Sequence, residues 1–391
     1  HEKPFDKLIS KIVIYLDRLI SGCRRFVSFD LPFSNLSGIF LIECEFCRDR
    51  ISECCAASFH GVHFGNMVRG EETMKFTFTI LVLLLVAGPV VAQRPSDPAM
   101  LIPQAAPKLD YAPVESPLYI PAETEFGKSS DLKFDSKGHL WVLNRGPKPV
   151  AEFDENGRFL RSFGEGIFGD GPHGLFLDED GNIWATDFRA HIVVKLSPQG
   201  DLLLTLGTLG EAGKWDEAIG SRLLNQPNSV VVNKKGDVFV AQGHSPTGGD
   251  PRVLKFDRKG NFIQTWGGKG SGPGQFALPH GIVIDADGRL WVMDRTNQRI
   301  QVFEDDGRFV REMKYAGLPC GAHIGEEYVY MVNGFAGQLL KLDLDGSVLE
   351  ALGRPGEGLG EFGEAHNVAV SPSGEIFVAD VIREVHKFVQ R

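Results

Sequence analysis

His173, His280 and His366 are the residues of this chain best suited to hold a metal together, because they share one register of a repeated text. Each stands 14 residues before an aspartate, at Asp187, Asp294 and Asp380, in PHGLFLDEDGNIWATD, PHGIVIDADGRLWVMD and HNVAVSPSGEIFVAD. The same offset from Asn144 and Gln242 reaches Ser130 and Asn228, and a shorter unit has Pro319-Cys320-Gly321 in that place. The histidine therefore recurs in every second unit. Neutral imidazole binds zinc and other transition metals, and three imidazoles that leave a fourth position open are how proteins hold a catalytic zinc. The spacing itself does not choose among the metals. Arg145 and Arg295 come directly after Asn144 and Asp294, where the other units have Phe188, Gly243, Gly334 and Val381. A guanidinium in that position can clamp a carboxylate with two parallel hydrogen bonds.

For these side chains to meet, the units that carry them must form a ring. From about residue 130 the chain falls into six units of roughly forty residues, the period of propeller blades. Each has an alternating β-rich run, a turn such as DEDGN, SKGH or SPSGE, a second run ending near Asp or Asn, a third run and a further glycine turn. Most add a fourth run. Alternation broken by Asp-Gly, Lys-Gly and Ser-Gly is the hairpin pattern, and no helical period of comparable length competes. The expected fold is all-β, a six-bladed β-propeller over 126–391. Alternate blades lie roughly 120° apart about the axis, so three residues at one height would face each other across the channel. The sixth unit stops after its third run, at Phe388, and an open edge there would leave backbone groups unpaired. The missing outer strand is expected from 111–127, YAPVESPLYIPAETEFG, at the end of a lead-in over 93–125, so that an N-terminal strand closes the ring.

The first 92 residues read differently. No Met precedes Met67, and from Met74 the text MKFTFTILVLLLVAGPVVAQ has a lysine, an apolar core and a small-residue cleavage site at Val90-Val91-Ala92. That is the pattern of a secretory signal peptide, and its core is short for a membrane span. Residues 74–92 are expected to be a signal peptide, 1–73 over-extended translation ahead of the true start, and the protein exported, periplasmic or secreted. Cys23, Cys44, Cys47, Cys54 and Cys55 all precede Met74, which leaves Cys320 without a disulfide partner beyond it. Cys44 and Cys47 have metal-knuckle spacing but lack a second such pair. Residues 1–92 hold ten basic and ten acidic side chains, so the remainder carries the whole formal charge of −10, with no basic run. Nucleic acid and anionic membranes are poor partners for such a surface, and a monomer acting on a small molecule or peptide is expected.

Taken in order, these segments resemble the NHL-repeat propellers and, among them, the peptidyl-α-hydroxyglycine α-amidating lyases. The likeness runs from about 126 to 391. It rests on NRG at Asn144–Gly146, PHGL at Pro172–Leu175 followed by TDFRAH, GQFALPHGI ending at Ile282, MDRTNQRIQVF, FVREMKY and HNVAV. The resemblance implies zinc on His173, His280 and His366 and active-site roles for Arg145 and Arg295. It also implies a calcium ion held by the backbone carbonyls of Leu132 and Leu175 and by the residue after the third histidine. In the family that residue is Asp; here it is Asn367. An amide oxygen can bind calcium too, though more weakly because the charge is lost. The family's catalytic tyrosine is matched here by His244, and its disulfide cysteines are missing.

The implied reaction splits peptide-NH-CH(OH)-COO⁻ into a peptide amide and glyoxylate. It needs a Lewis acid on the hydroxyl oxygen, a base for its proton and a cation for the carboxylate. The metal, His244 and the two arginines would supply these, and an imidazole titrating near neutrality suits the base. Two other functions stay open. One is a non-catalytic extracellular propeller that binds a partner; the other is a metal-dependent hydrolase of the lactonase type, whose sites are richer in carboxylates and amides than this channel. His191, His323 and His386 share no register and are read as surface or packing residues.

Overall fold

The structure, a computed structural model, describes residues 95–245 and 249–391 throughout, and before them only the strands Phe40–Phe46, Val62–Phe64 and Met74–Ile80. It divides into two compact units, His1–Pro89 and Val90–Arg391. In the first unit the three strands pair as one antiparallel sheet with Met74–Ile80 in the middle. The remainder of the segments read as leader (1–73) and signal peptide (74–92) lies outside the described residues.

In the second unit, hydrophobic alternation and tight turns produce six four-stranded antiparallel sheets. Their innermost strands are Ser129–Phe134, Pro172–Leu177, Pro227–Val232, Pro279–Ile284, Pro319–Ile324 and Ala365–Val370, in blades 1 to 6. The turn that leaves the innermost strand has a specific chemistry in blades 1, 2 and 4. An aspartate accepts two backbone N–H groups of the turn and the indole N–H of the tryptophan six residues on. The indole bonds are Trp141 to Asp135 and Trp184 to Asp178 at 3.1 Å, and Trp291 to Asp285 at 3.0 Å. Each turn also needs a left-handed residue, supplied by Gly138, Gly181 and Gly288 at φ of 83°, 77° and 85°.

The core is divided among the blade interfaces. Six clusters of buried side chains each join neighbouring blades, as Trp184, Val193 and Leu206 of blade 2 meet Val230, Val240 and Leu254 of blade 3. Blade 6 has three strands of its own and takes its outer strand from Tyr111–Val114, which pairs with Val385–Gln390 from Lys387 opposite Val114 to Gln390 opposite Tyr111. The closing strand thus lies at the start of the stretch expected to donate it. Just before it, Leu109 donates its N–H to Ala351 and Ala351 donates back to Pro107, both at 2.8 Å, so the lead-in also lies along blade 5.

Candidate metal centre

The 14-residue spacing has a structural cause. The residue ending each second strand is buried, and its side chain turns back to accept N–H groups from the loop that enters its own blade's innermost strand. Asp187 accepts from Gly169 at 2.8 Å, Asp294 from Ala277 at 2.9 Å, and Asp380 from Gly363 at 2.7 Å and Glu364 at 3.1 Å. Asn144, Gln242 and Asn333 do the same for Gly127, Asn225 and Leu318. Every blade is therefore clasped at one height. Directly after the clasp the ladder slips: Pro279 lies opposite Asp294 and Gly281 opposite Met293, which leaves His280 as the extra residue of a β-bulge. His366 is passed over in the same way between Ala365 and Asn367, as are Ser130, Asn228 and Cys320, while in blade 2 the shift spans His173 and Gly174. A bulge re-aims a side chain out of the alternating pattern. The member of this register in blade 5, which the sequence left among three residues, is Cys320.

Each histidine is then fixed by the next blade. His173 Nδ1 meets the carbonyl of Asn228 at 2.7 Å, His280 Nδ1 that of Cys320 at 3.0 Å, and His366 Nδ1 that of Ser130 at 2.6 Å. The ring thus alternates, even blades giving an imidazole and odd blades a backbone oxygen. The glycine of PHG makes room for this contact: a Cβ on Gly174 would stand 2.6 Å from the Asn228 oxygen, and one on Gly281 2.5 Å from the Cys320 oxygen. A carbonyl only accepts, so each Nδ1 carries the proton and each Nε2 of the neutral ring presents a lone pair. His173 Nε2 and His366 Nε2 lie 3.1 Å apart, and the buried His280 Nε2 has no hydrogen-bond partner. Two lone pairs at that distance do not bond to each other. The three donor atoms lie within 4.8 Å of one another, a fit for one cation between them. Burial, with Arg145 next, pushes His173 down to about 3. Burial holds His280 and His366 well below the usual range too, so all three are neutral and ready to ligate at pH 7.

Around this trio stand the other residues singled out by the sequence. The His244 ring lies 4.7 Å from that of His173 and stacks on Phe188 at 4.3 Å. Burial, then the positive charge that His173, Arg295 and Arg145 would add, holds its pKa well below 6.5, so the near-neutral titration expected for it does not hold. Arg145 is half-buried with its guanidinium 5.9 Å from the Phe188 ring, and donates to the Pro172 carbonyl at 3.4 Å. Arg295 is buried and donates to Glu364 at 2.6 Å. Glu364 escaped the sequence reading. It is 2 % exposed, and burial pushes its carboxyl up while Arg295 and Arg145 pull it back. Its one sequence signal was an acid two places before His366, where the other histidine blades have Gly171 and Leu278. Cys320 is a free, buried thiol pushed up to about 11, consistent with packing. Leu175 and Asn367 lie farther along the channel with Asp131 and Lys133, and the Leu132 carbonyl meets the Lys133 ammonium there.

Comparison with known proteins agrees with the repeat and the fold. The NHL repeat family matches residues 276–303. The chain is 34% identical over 179 residues to the human (Homo sapiens) NHL repeat-containing protein 3, covering 43% of this chain and 49% of that protein. It is 30% identical over 300 residues to peptidyl-alpha-hydroxyglycine alpha-amidating lyase 1 of Drosophila melanogaster, covering 66% of this chain and 52% of the relative. The chain thus spans about half the length of these relatives. Among solved structures, a streptogramin B lyase superposes with a TM-score of 0.52 at 17% identity, covering 72% of this chain and 98% of that one, a likeness of fold alone.

Proposed function

We infer, from the premise of an NHL-repeat six-bladed propeller that resembles the peptidyl-α-hydroxyglycine α-amidating lyases, that the histidine chamber holds one zinc ion and cleaves a carbinolamide. The observation that carries this reading is the convergence of three Nε2 atoms whose Nδ1 protons are all committed to carbonyls. Bound there, the ion would polarise the substrate hydroxyl and lower its pKa. Beside it His244, uncharged and held against Phe188, accepts the hydroxyl proton. The hydroxyl oxygen becomes the aldehyde oxygen of glyoxylate, the C–N bond breaks, and the leaving amide nitrogen takes the proton from His244. Arg145 orients the substrate carboxylate, while Arg295 is held in place beside the histidines by Glu364. The carbonyl of the next blade behind each histidine fixes its direction before substrate arrives.

Metal analysis of the full chain, followed by an assay of glyoxylate released from a peptidyl-α-hydroxyglycine, tests the reading. The expected result is about one zinc per chain and release of glyoxylate, both lost in His280→Ala. A chain without zinc sinks the metal centre. Zinc without glyoxylate keeps the centre, sinks the reaction, and fits a propeller that binds a partner without turning it over.

A further inference from the structure

Past the histidines the channel continues between the six innermost strands, and a second group of buried polar atoms lies there that the proposed reaction does not use. Asp131, one residue after the bulge of blade 1, is 1 % exposed. Its Oδ1 accepts the N–H of Leu132 at 2.7 Å and the ammonium of Lys133 at 2.5 Å, and its Oδ2 accepts the N–H of Leu175 in blade 2 at 2.7 Å. Lys133 Nζ also donates to the Leu132 carbonyl at 3.1 Å. On the neighbouring innermost strand of blade 6, Asn367 Oδ1 accepts the N–H of Val368 at 2.9 Å. Burial, and then the Lys133 charge, pushes His323 of blade 5 down to about 4.

We propose that Lys133 is a built-in counter-cation at this end of the channel, standing where a divalent ion would otherwise neutralise the buried carboxylate, and that the protein takes up no calcium here. Calcium requires six to eight oxygen ligands at roughly 2.3–2.6 Å. Of the oxygens offered, the Leu132 carbonyl and Asp131 Oδ1 already hold the ammonium. A dication within the same few ångströms would be repelled by that ammonium, in a site where burial weakens screening. The expectation of calcium on Leu132, Leu175 and Asn367 thus meets a site already carrying its positive charge. Removing the lysine head group leaves a buried carboxylate beside a free carbonyl, which is the beginning of a cation site.

The test uses the full chain loaded with zinc alone, melted in rising calcium chloride, with calcium content measured after dialysis against the ion. In the wild type, no stoichiometric calcium and an unmoved melting temperature are expected. Lys133→Ala strands Asp131 and is expected to melt roughly 5–10 °C lower, recovering as calcium rises because the ion binds the folded state only. Calcium bound by the wild type, or a wild-type melting temperature that climbs with calcium, overturns the proposal. So does a folded Lys133→Ala chain indifferent to calcium. Should that variant not fold, the wild-type titration decides alone. None of these outcomes depends on whether glyoxylate is formed.

Discussion

A substrate carboxylate entering the chamber meets one guanidinium already paired, Arg295 on Glu364 at 2.6 Å, and one that forms no ion pair among the described residues, Arg145. The two arginines look alike in the sequence, yet they have different work to do. Arg145→Gln is expected to raise KM for an anionic substrate about tenfold or more with a smaller change in kcat, because the contact is made in the ground state as well. Arg295→Gln instead leaves Glu364 buried without its partner and is expected to cost about 3–5 kcal/mol of stability, read by denaturant melts. If the two variants behaved alike in both assays, the distinction would fail. The histidines give a pH dependence whose sign is set by their depressed pKa values. Unfolding restores each to its ordinary 6.5, so the unfolded chain binds protons that the folded chain refuses. Their contribution is complete above pH 6.5 and is lost progressively as pH falls from there toward about 3 for His173. Metal-free protein should therefore lose stability across that window, and His280→Asn should flatten the slope. A slope unchanged by the substitution would falsify this assignment.

At the scale of a strand, the decisive device is the clasp followed by the bulge, and it explains which part of the site was legible. A fixed distance between a buried Asp and a His is a local property of one blade, so the text displays it three times. What the His touches belongs to the next blade, 55 residues on for His173 and Asn228, and no spacing within a unit reveals it. Glu364 on Arg295 and Lys133 on Asp131 are hidden for a related reason. Each is a single departure from the repeat; the partner of Glu364 is known only once the blades are arranged, and Asp131, though two residues from Lys133 on one strand, also accepts the Leu175 N–H of the next blade. The glycine of PHG is the testable link between the two levels. Gly281→Ala puts a Cβ 2.5 Å from the Cys320 oxygen and 2.8 Å from Met293, so either the carbonyl or the blade has to move. A loss of about 1–3 kcal/mol is expected together with weaker zinc retention in dialysis against a chelator. Loss of stability with zinc retention intact would mean that the carbonyl does not set the histidine's direction.

For the molecule as a whole, six blades can hold three histidines on one axis only if the ring is closed, and here closure rests on four residues from the other end of the unit. Tyr111–Val114 covers the edge of Val385–Gln390, over a cluster in which Leu109, Phe362 and Phe388 are buried together. The same blade carries His366, whose Nδ1 reaches across the closure to Ser130 of blade 1. The seam and the histidine trio therefore share blade 6. The repeat made this visible in advance, because a sixth unit with three runs in a circular fold must find a fourth elsewhere; the choice of 111–114 within 111–127 depended on packing that the text does not show. Replacing Tyr111–Val114 by Gly-Ser-Gly-Ser keeps the length but removes the β-formers, including the Tyr111 hydroxyl that donates to the Gly374 carbonyl at 3.2 Å. An unpaired, apolar strand edge invites pairing with a second chain. The variant is expected to melt at lower temperature, to self-associate on a sizing column and to lose zinc, since His366 moves with blade 6. A variant that elutes as the unaltered protein does and matches its zinc content while melting earlier would separate the seam from the centre, and would place the rigidity of the histidine ring in the innermost strands alone.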